Sequence, residues 1–207
     1  MNLENSVKFH AAKTQRFTDE PPATRTDALT GTDVLAAMGM AQAEAGFGMA
    51  AFFGKMDISQ DDKRKAINEL MQFASKRIGK YKTLAKLEGR KKGRVLMMIS
   101  AFAYNDYCTT AATPGARCKY CKGRGVVLDV DKTQETGERV VKPCKRCNGQ
   151  GYKKEPASKL FRAIKLMVPD LSQPTFSRNI KPLIDELIAQ CYIEESRAEK
   201  AIQKTTR

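Results

Sequence analysis

The chain has 207 residues and carries 37 lysine and arginine residues against 23 acidic ones, for a formal net charge of +14. Its first 20 residues are mostly polar and lack the apolar run of a secretory signal peptide. These features argue against a secreted protein, and the expected compartment is the reducing cytosol.

Two segments of different composition open the chain. Residues 1–30 are polar, contain a proline pair and show no apolar periodicity, so we predict a flexible tail. Residues 31–56 form an Ala/Gly/Met-rich arm, whose first 24 residues hold only two charges, Asp33 and Glu44. Its glycines and mid-stretch polar residues argue against a bilayer span. Two alternatives remain for the arm: a helix packed on the protein body, or an element that docks on a partner protein.

Positive charge is concentrated in the following body, residues 57–207. Residues 59–207 hold 32 basic and 16 acidic side chains, and the run from Lys76 to Arg94 has nine basic residues and one acid. Such an excess is typical of proteins that bind nucleic acid, because neutralisation of phosphates dominates that affinity. A membrane partner is disfavoured, because no lipidation motif or basic amphipathic anchor accompanies the charge.

The first part of this body is predicted to be helical. Ser59 resembles an N-cap, and apolar residues follow it at helical spacing as far as Ile78. A second helix is predicted from about Lys92 to Thr110, with apolar residues on most faces, as expected for a central buried helix. The sequence Thr-Pro-Gly at 113–115 should end it.

A repeated cysteine pattern, CxxCxGxG, occupies residues 118–125 and 144–151. Two such units supply four thiolates, the number that tetrahedral Zn²⁺ takes in a closed structural site, and their glycines permit the positive φ values of a chain that curls around a metal. We therefore predict one structural zinc ion with four ligands: Cys118, Cys121, Cys144 and Cys147. Disulfide pairing is the alternative, which a reducing compartment disfavours. Cys108 and Cys191 lie outside the repeats and are predicted to be small buried hydrophobic residues.

A catalytic zinc is the alternative to a structural one, because Pro143 and the following CxxC match half of the nucleobase deaminase signature. That chemistry also requires an upstream His-x-Glu, but the single histidine, His10, is followed by two alanines. Four thiolate ligands leave no open position at which the metal can activate water. The sequence therefore predicts a protein that is not an enzyme.

The segment between the cysteine pairs is predicted to form a β-hairpin, with strands at Val126–Val130 and Glu138–Lys142 around a polar turn at 132–137. An isolated hairpin is marginally stable in water. Zinc binding can offset this weakness, because about 10 to 16 kcal/mol of binding free energy becomes folding free energy in small zinc modules. Removal of the metal should therefore unfold the zinc finger, residues 117–152, first.

Residues 156–190 are predicted to form a helix-turn-helix. Pro156 suits the first turn of a helix, Pro169 marks a break, and Ser172 can cap a second helix, which Pro182 should kink or break after Ile180. Arginine and asparagine are suited to bidentate contacts with guanine and adenine. The predicted DNA contacts are Thr175, Arg178, Asn179 and Lys181 on the second helix, with Lys159, Arg162 and Lys165 on the first. The predicted fold class is mainly α, a helical DNA-binding domain with this motif and an inserted zinc-bound β-hairpin.

Four stretches of the chain together resemble one family, the lambdoid bacteriophage late-gene antitermination proteins called the Q family. They are GTDVLAAMGMAQAEAGFGMAAF at 31–52, AATPGARC at 111–118, both CxxCxGxG units, and QPTFSRNIKPL at 173–183. The likeness runs through nearly all of the chain. By this resemblance the four cysteines match the zinc ligands, and the helices around Pro169 match the DNA-binding helix-turn-helix.

The resemblance also implies a function and partners. Proteins of this family bind a double-stranded DNA element that overlaps a phage late promoter. They engage host RNA polymerase, held with its housekeeping sigma factor at a promoter-proximal pause, and make it read through pauses and terminators. The expected location is the cytoplasm of the infected bacterial host.

One alternative from another class is a J-type co-chaperone that binds unfolded polypeptides, because its cysteine-rich region also contains CxxCxGxG repeats. Such proteins normally carry four repeats and a J domain with a His-Pro-Asp loop. This chain has two repeats, and its only histidine, His10, precedes Ala11. A co-chaperone is therefore the weaker hypothesis.

Overall fold

The computed structural model of the protein describes Leu3, Glu4, Ser6 and residues 31–206. It is mainly helical, with one two-stranded sheet. The elements in chain order are α1 (Gly31–Glu44), α2 (Gly46–Lys55), α3 (Gln60–Arg77), a 3-10 turn (Ile78–Lys80), α4 (Lys82–Ala85), α5 (Gly89–Cys108), β1 (Val126–Leu128), α6 (Val130–Thr136), β2 (Val141–Pro143), α7 (Ala157–Met167), α8 (Gln173–Thr175), a π-helical turn (Phe176–Ile180) and α9 (Lys181–Thr205).

The chain divides into two compact units. The first contains residues 1–104 and 171–207, and the second contains residues 105–170. This division differs from the one expected from the sequence, in which a body began at residue 57 and the insert covered residues 117–152. Long-range helix packing explains the difference, because the last helix joins the early helices in one core.

Helices α1 and α2 pack against α9, and α2 also packs against α3. Their apolar faces share one buried cluster, whose members include Leu3, Ala41, Met49, Phe52, Ala198 and Ile202. At Gly48 an added Cβ would lie 2.0 Å from the backbone oxygen of Glu194, so only glycine allows α2 to approach α9 this closely. Residues 31–55 are therefore helices packed on the protein body in this structure.

The predicted flexible tail, residues 1–30, lies largely outside the described residues. Two of the residues that are described, Leu3 and Ser6, are buried. The start of the chain is therefore not wholly exposed to solvent, since burial of Leu3 in the cluster of α1, α2 and α9 removes apolar surface from water.

Helices α3 and α5 follow their predicted patterns with shifted bounds. The predicted N-cap of α3 is confirmed, because the Ser59 side chain accepts a hydrogen bond from the Asp62 backbone N–H at 3.1 Å. Helix α5 begins at Gly89 and ends at Cys108, and it is buried along one face rather than on most faces, since Met97 is 45% exposed. The Tyr104 hydroxyl on its buried face donates a hydrogen bond to the Ala51 carbonyl at 3.0 Å.

The chain after residue 171 is a longer helical segment than predicted. Ser172 is the N-cap of α8, as predicted, and accepts a hydrogen bond from the Thr175 backbone N–H at 3.3 Å. The expected interruption near Pro182 takes the form of the π-helical turn, after which Pro182 lies in the first turn of α9, where a missing N–H is tolerated. The helix then continues to Thr205, beyond residue 190, at which the predicted helix-turn-helix motif ended.

The second unit contains the sheet and the cysteine repeats. Strands β1 and β2 are antiparallel, with Val127 paired to Lys142. The predicted polar turn at 132–137 was wrong, because Val130–Thr136 forms helix α6. This helix buries none of its residues and so has no apolar periodicity to reveal it. It is instead held to the returning chain, because the Val140 N–H donates to the Thr133 hydroxyl at 3.1 Å.

Helix α7 also belongs to the second unit. It starts directly after Pro156 and buries Leu160 and Ile164, which are four residues apart and so lie on one face of the helix. Leu166 on the same helix is 87% exposed. Within residues 31–206, none of the helices is both long and apolar enough to cross a lipid bilayer.

Candidate functional site

The four repeat cysteines meet in one buried cluster of sulfur atoms. Their Sγ atoms all lie within 4.8 Å of one another, and those of Cys121 and Cys147 are 3.7 Å apart. Tetrahedral zinc with Zn–S bonds of about 2.3 Å places its sulfur ligands about 3.8 Å apart. A disulfide would require about 2.05 Å, so the Cys121–Cys147 separation fits a shared metal and not a disulfide bond. The cluster could therefore hold one metal ion with all four thiolates as ligands.

The two repeats are arranged around this cluster in the same way. The Cys118 N–H donates to the Gly151 carbonyl at 2.9 Å, and the Cys144 N–H donates to the Gly125 carbonyl at 2.8 Å. Each first cysteine is thus bonded to the final glycine of the other repeat. The Gly151 N–H also donates to the Cys147 sulfur at 3.2 Å, a bond that orients a thiolate ligand.

The final glycine of each repeat is required by a close approach of the two loops. A Cβ added at Gly125 would lie 2.2 Å from the Gly149 carbonyl oxygen, and one at Gly151 would lie 2.4 Å from the Gly123 carbonyl oxygen. Both residues also have positive φ, 74° and 83°. The glycines of CxxCxGxG therefore let the two backbones interlock as well as turn.

The thiols of the cluster differ in acidity. The backbone N–H of Cys121 lowers the pKa of the Cys118 thiol to about 7. Burial raises the pKa of the Cys147 thiol to about 11. Metal binding requires thiolates, so a metal must displace the proton of Cys147 at neutral pH, and metal affinity should weaken as the pH falls.

The remaining cysteines are not part of this cluster. Cys191 on α9 is buried, as predicted, whereas Cys108 at the end of α5 is only half-buried. Among the described residues, the four repeat cysteines are the only group of three or more His, Cys, Asp or Glu side chains close enough to hold a metal ion.

The predicted DNA contacts fall in both compact units. Lys159, Arg162 and Lys165 are exposed on α7 in the second unit. The Lys159 ammonium is 2.9 Å from a Glu155 carboxylate oxygen, and the Lys165 ammonium lies 5.7 Å from the centre of the Phe161 ring. The other four residues lie in the first unit, so the helix-turn-helix arrangement remains a prediction.

Those four residues are not equally available. Arg178 and Lys181 are exposed, in the middle of the π-helical turn and at the start of α9 respectively. Asn179 is only half-buried, but its side-chain amide donates to the Thr83 hydroxyl at 2.8 Å, and the Thr175 hydroxyl is 2.7 Å from that of Ser172. The Asn179 side chain is thus bonded to another part of the protein, and its contact with DNA remains a prediction.

The contact between Asn179 and Thr83 brings one part of the basic run from Lys76 to Arg94 to the π-helical turn. Helix α4 packs against this turn, and the exposed Lys82 and Lys86 are the first residue of α4 and the residue directly after it. In the sequence this run indicated charge alone. The contact of α4 with the π-helical turn depends on tertiary packing.

One acidic residue near the start of α9, Glu186, connects this helix to two other segments. The Glu186 carboxylate accepts hydrogen bonds from Arg77 and from the Tyr81 hydroxyl, both at 2.9 Å. The bond from Arg77 lowers the pKa of Glu186, while burial and the bond to Glu186 raise the pKa of Tyr81 to about 12. The start of α9 is thereby tied to the end of α3 and to the residues that lead into α4.

Comparison with known proteins covers the whole chain. A family model described as Antitermination protein Q matches residues 23–111 and 112–199. The chain is 56% identical to the antitermination protein Q of Salmonella phage P22 and 55% identical to that of Escherichia phage lambda, in both cases over 207 residues and the full length of both chains. It is also 30% identical, again over the full length of both chains, to a prophage antitermination protein Q homolog of Escherichia coli strain K12. The chain therefore belongs to the antitermination protein Q family.

Proposed function

We propose that this protein is a phage transcription antitermination factor that acts on transcription complexes of host RNA polymerase in the cytoplasm of the infected bacterium. Membership of the antitermination protein Q family over the full length of the chain is the observation that carries this conclusion. The same membership removes the basis for the co-chaperone alternative, which rested on the cysteine repeats alone. The protein acts without covalent chemistry, by binding some states of the transcription complex better than others.

The proposal includes a DNA element at a phage late promoter as the first binding partner. Its duplex is contacted by the exposed side chains of Arg178 and Lys181, with Lys82 at the start of the adjacent α4 and Lys86 directly after it as phosphate contacts. Thr175 and Asn179 help to fix this surface, because their side chains are hydrogen-bonded to Ser172 and Thr83. Lys159, Arg162 and Lys165 on α7 add a second set of basic contacts.

The second partner in the proposal is RNA polymerase that holds its housekeeping sigma factor at a promoter-proximal pause. The protein loads onto this paused enzyme from its DNA element and then makes it read through pauses and terminators. A single zinc ion bound by the four cysteines has a structural role, since four thiolates leave no position for a reacting water.

The DNA contact is tested by Arg178→Ala in a footprinting and binding assay on a late-promoter fragment at a fixed salt concentration. Loss of a base contact should weaken binding by about 1 to 3 kcal/mol and relax base preference at one position. Arg64→Ala is the matched control, because Arg64 is an exposed arginine on α3 that pairs with Asp61 at 2.9 Å and is not among the proposed DNA contacts. Equal binding by Arg178→Ala and the control would remove the π-helical turn from the DNA interface.

The transcription function is tested with a reconstituted elongation complex that starts from a late promoter with its pause site. Addition of the protein should increase read-through at an intrinsic terminator placed downstream. The increase should require the promoter element and should be reduced by Arg178→Ala but not by Arg64→Ala. Unchanged termination with saturating wild-type protein would contradict the proposal.

A further inference from the structure

The two cysteine loops form a strongly basic surface. We define this knuckle surface as residues 115–125 and 144–153, which hold seven lysine and arginine residues and no acidic residue. All seven are exposed: Arg117, Lys119, Lys122, Arg124, Lys145, Arg146 and Lys153. The buried thiolates of a zinc site do not remove this outward excess of positive charge, so the knuckle surface suits a polyanion.

The hairpin beyond the loops has the opposite balance. Residues 126–143 hold four acidic and three basic side chains, and one of the basic ones, Lys142, is 3.1 Å from an Asp129 carboxylate oxygen. Within the segment from residue 115 to residue 153, the excess of positive charge therefore lies on the knuckle surface and not on the hairpin. If these charges served only to keep the second unit in solution, the basic residues would not have to be separated from the acidic ones in this way.

An exposed aromatic ring lies within the knuckle surface. Tyr120 is 57% exposed, and the guanidinium of Arg146 lies 5.1 Å from its ring centre. Tyr120 and Arg146 occupy the same position, the one before the second cysteine, in the two loops. A planar guanidinium over a phenol ring forms a platform of stacked planar groups, of the kind on which nucleic-acid bases stack.

A recess of about 300 Å³ adjoins this platform. Tyr120, Arg117, Lys119, Arg146 and Lys153 contribute to its lining, with the remainder from Gly115, Ala116 and Cys118. The Arg117 guanidinium is held in place by the Lys122 carbonyl, at 2.8 Å from Nε and 2.6 Å from Nη2. The recess therefore combines an aromatic face, four cations and an oriented guanidinium, and its volume is at the lower end of the range for ligand pockets, about 300 to 1,000 Å³.

We propose that the knuckle surface binds single-stranded nucleic acid, with an unpaired base stacked on Tyr120 and its phosphates bound by Arg117, Arg146 and Lys153. Single strands are bound by basic grooves with exposed aromatic rings, since every base offers a face for stacking. In a duplex the bases are stacked on one another, so they are not free to stack on the Tyr120 ring. The site is separate from the duplex contacts of the π-helical turn, and neither proposal depends on the other.

The experiment uses the full-length protein loaded with zinc and fluorescein-labelled ten-nucleotide probes, one of uridine and one of deoxythymidine. Fluorescence anisotropy at fixed salt measures the dissociation constants. Loss of one stacked base in Tyr120→Ala should weaken binding about 5- to 140-fold, whereas Tyr120→Phe should stay within about twofold of wild type. Arg146→Gln should weaken binding and lower its salt dependence, whereas Arg139→Gln, an equal charge change in the hairpin, should do neither.

Three results would overturn the proposal: equal binding by the alanine and phenylalanine variants, equal losses in the two arginine variants, or competition by a blunt ten-base-pair duplex as strong as by the single strand. Zinc content and circular dichroism establish that each variant is folded. Cross-linking of a 5-iodouracil probe to Tyr120 in the wild-type protein gives a readout that needs no variant, and its absence there also counts against the site. Tighter binding of the uridine probe would identify a transcript as the ligand, and tighter binding of the deoxythymidine probe an unpaired DNA strand. Binding of the late-promoter duplex by Tyr120→Ala should remain at the wild-type level.

Discussion

Replacement of Gly151 by alanine should loosen the two cysteine loops much more than replacement of Gly149. Both glycines have φ of 83°, and they lie two residues apart in the same loop. Their surroundings differ: a Cβ at Gly149 meets only Pro143 at 3.8 Å, whereas one at Gly151 would lie 2.4 Å from the Gly123 carbonyl oxygen. The pair therefore separates the cost of backbone conformation from the cost of a clash.

The magnitude follows from these two terms. A left-handed conformation costs a residue with a Cβ about 1 to 2 kcal/mol, and both variants bear this cost. The Gly151 variant must also move a backbone carbonyl, and overpacking of this kind typically costs about 1 to 3 kcal/mol more. Because metal binding is coupled to folding of the loops, Gly151→Ala should bind zinc about 5- to 140-fold more weakly than Gly149→Ala.

Competition with a chromogenic chelator at constant pH measures both zinc affinities. Gly125→Ala should behave like Gly151→Ala, since its Cβ would lie 2.2 Å from the Gly149 carbonyl oxygen. If Gly149→Ala and Gly151→Ala bound zinc equally well, the interlocked arrangement of the loops would be refuted.

Three further outcomes are expected. The bond from Arg77 lowers the pKa of Glu186, so Glu186 stabilises the fold above its ordinary pKa of 4.5, and this contribution is lost as the pH falls through the lowered pKa. In Glu186→Gln the unfolding free energy, measured by urea titration, should therefore decline less steeply below pH 4.5. An unchanged slope would contradict this. Gly48→Ala should reduce the unfolding free energy by about 3 kcal/mol, because α2 contacts α9 at this residue. Gly39→Ala should raise it by about 0.5 to 1 kcal/mol, because a Cβ at Gly39 meets nothing within 4 Å. Equal effects of the two changes in thermal unfolding would exclude the close helix contact. Chelation of zinc should accelerate amide hydrogen exchange in residues 117–152 before the helices of the first unit, and unchanged exchange there would show that the metal does not hold the module together.

Local features of this protein follow from the sequence alone. The CxxC spacing places Cys118 beside Cys121 and Cys144 beside Cys147 in any compact loop, so the four cysteines that could hold a metal ion could be identified without a fold. The helix N-caps at Ser59 and Ser172 could also be predicted from the sequence. A hydroxyl that accepts a hydrogen bond from the backbone N–H three residues later needs no distant partner.

Features that require distant partners were decided only by the tertiary structure. The packing of residues 31–55 depends on α9, more than a hundred residues later, and the engagement of Asn179 depends on Thr83. Helix α6 buries nothing and is held by a bond between Thr133 and Val140, so no periodicity marks it. A hydrophobic pattern shows that a residue will be buried, but it does not show which residues will pack against it. The hydrophobic effect is non-directional, so these contacts depend on how the whole chain packs.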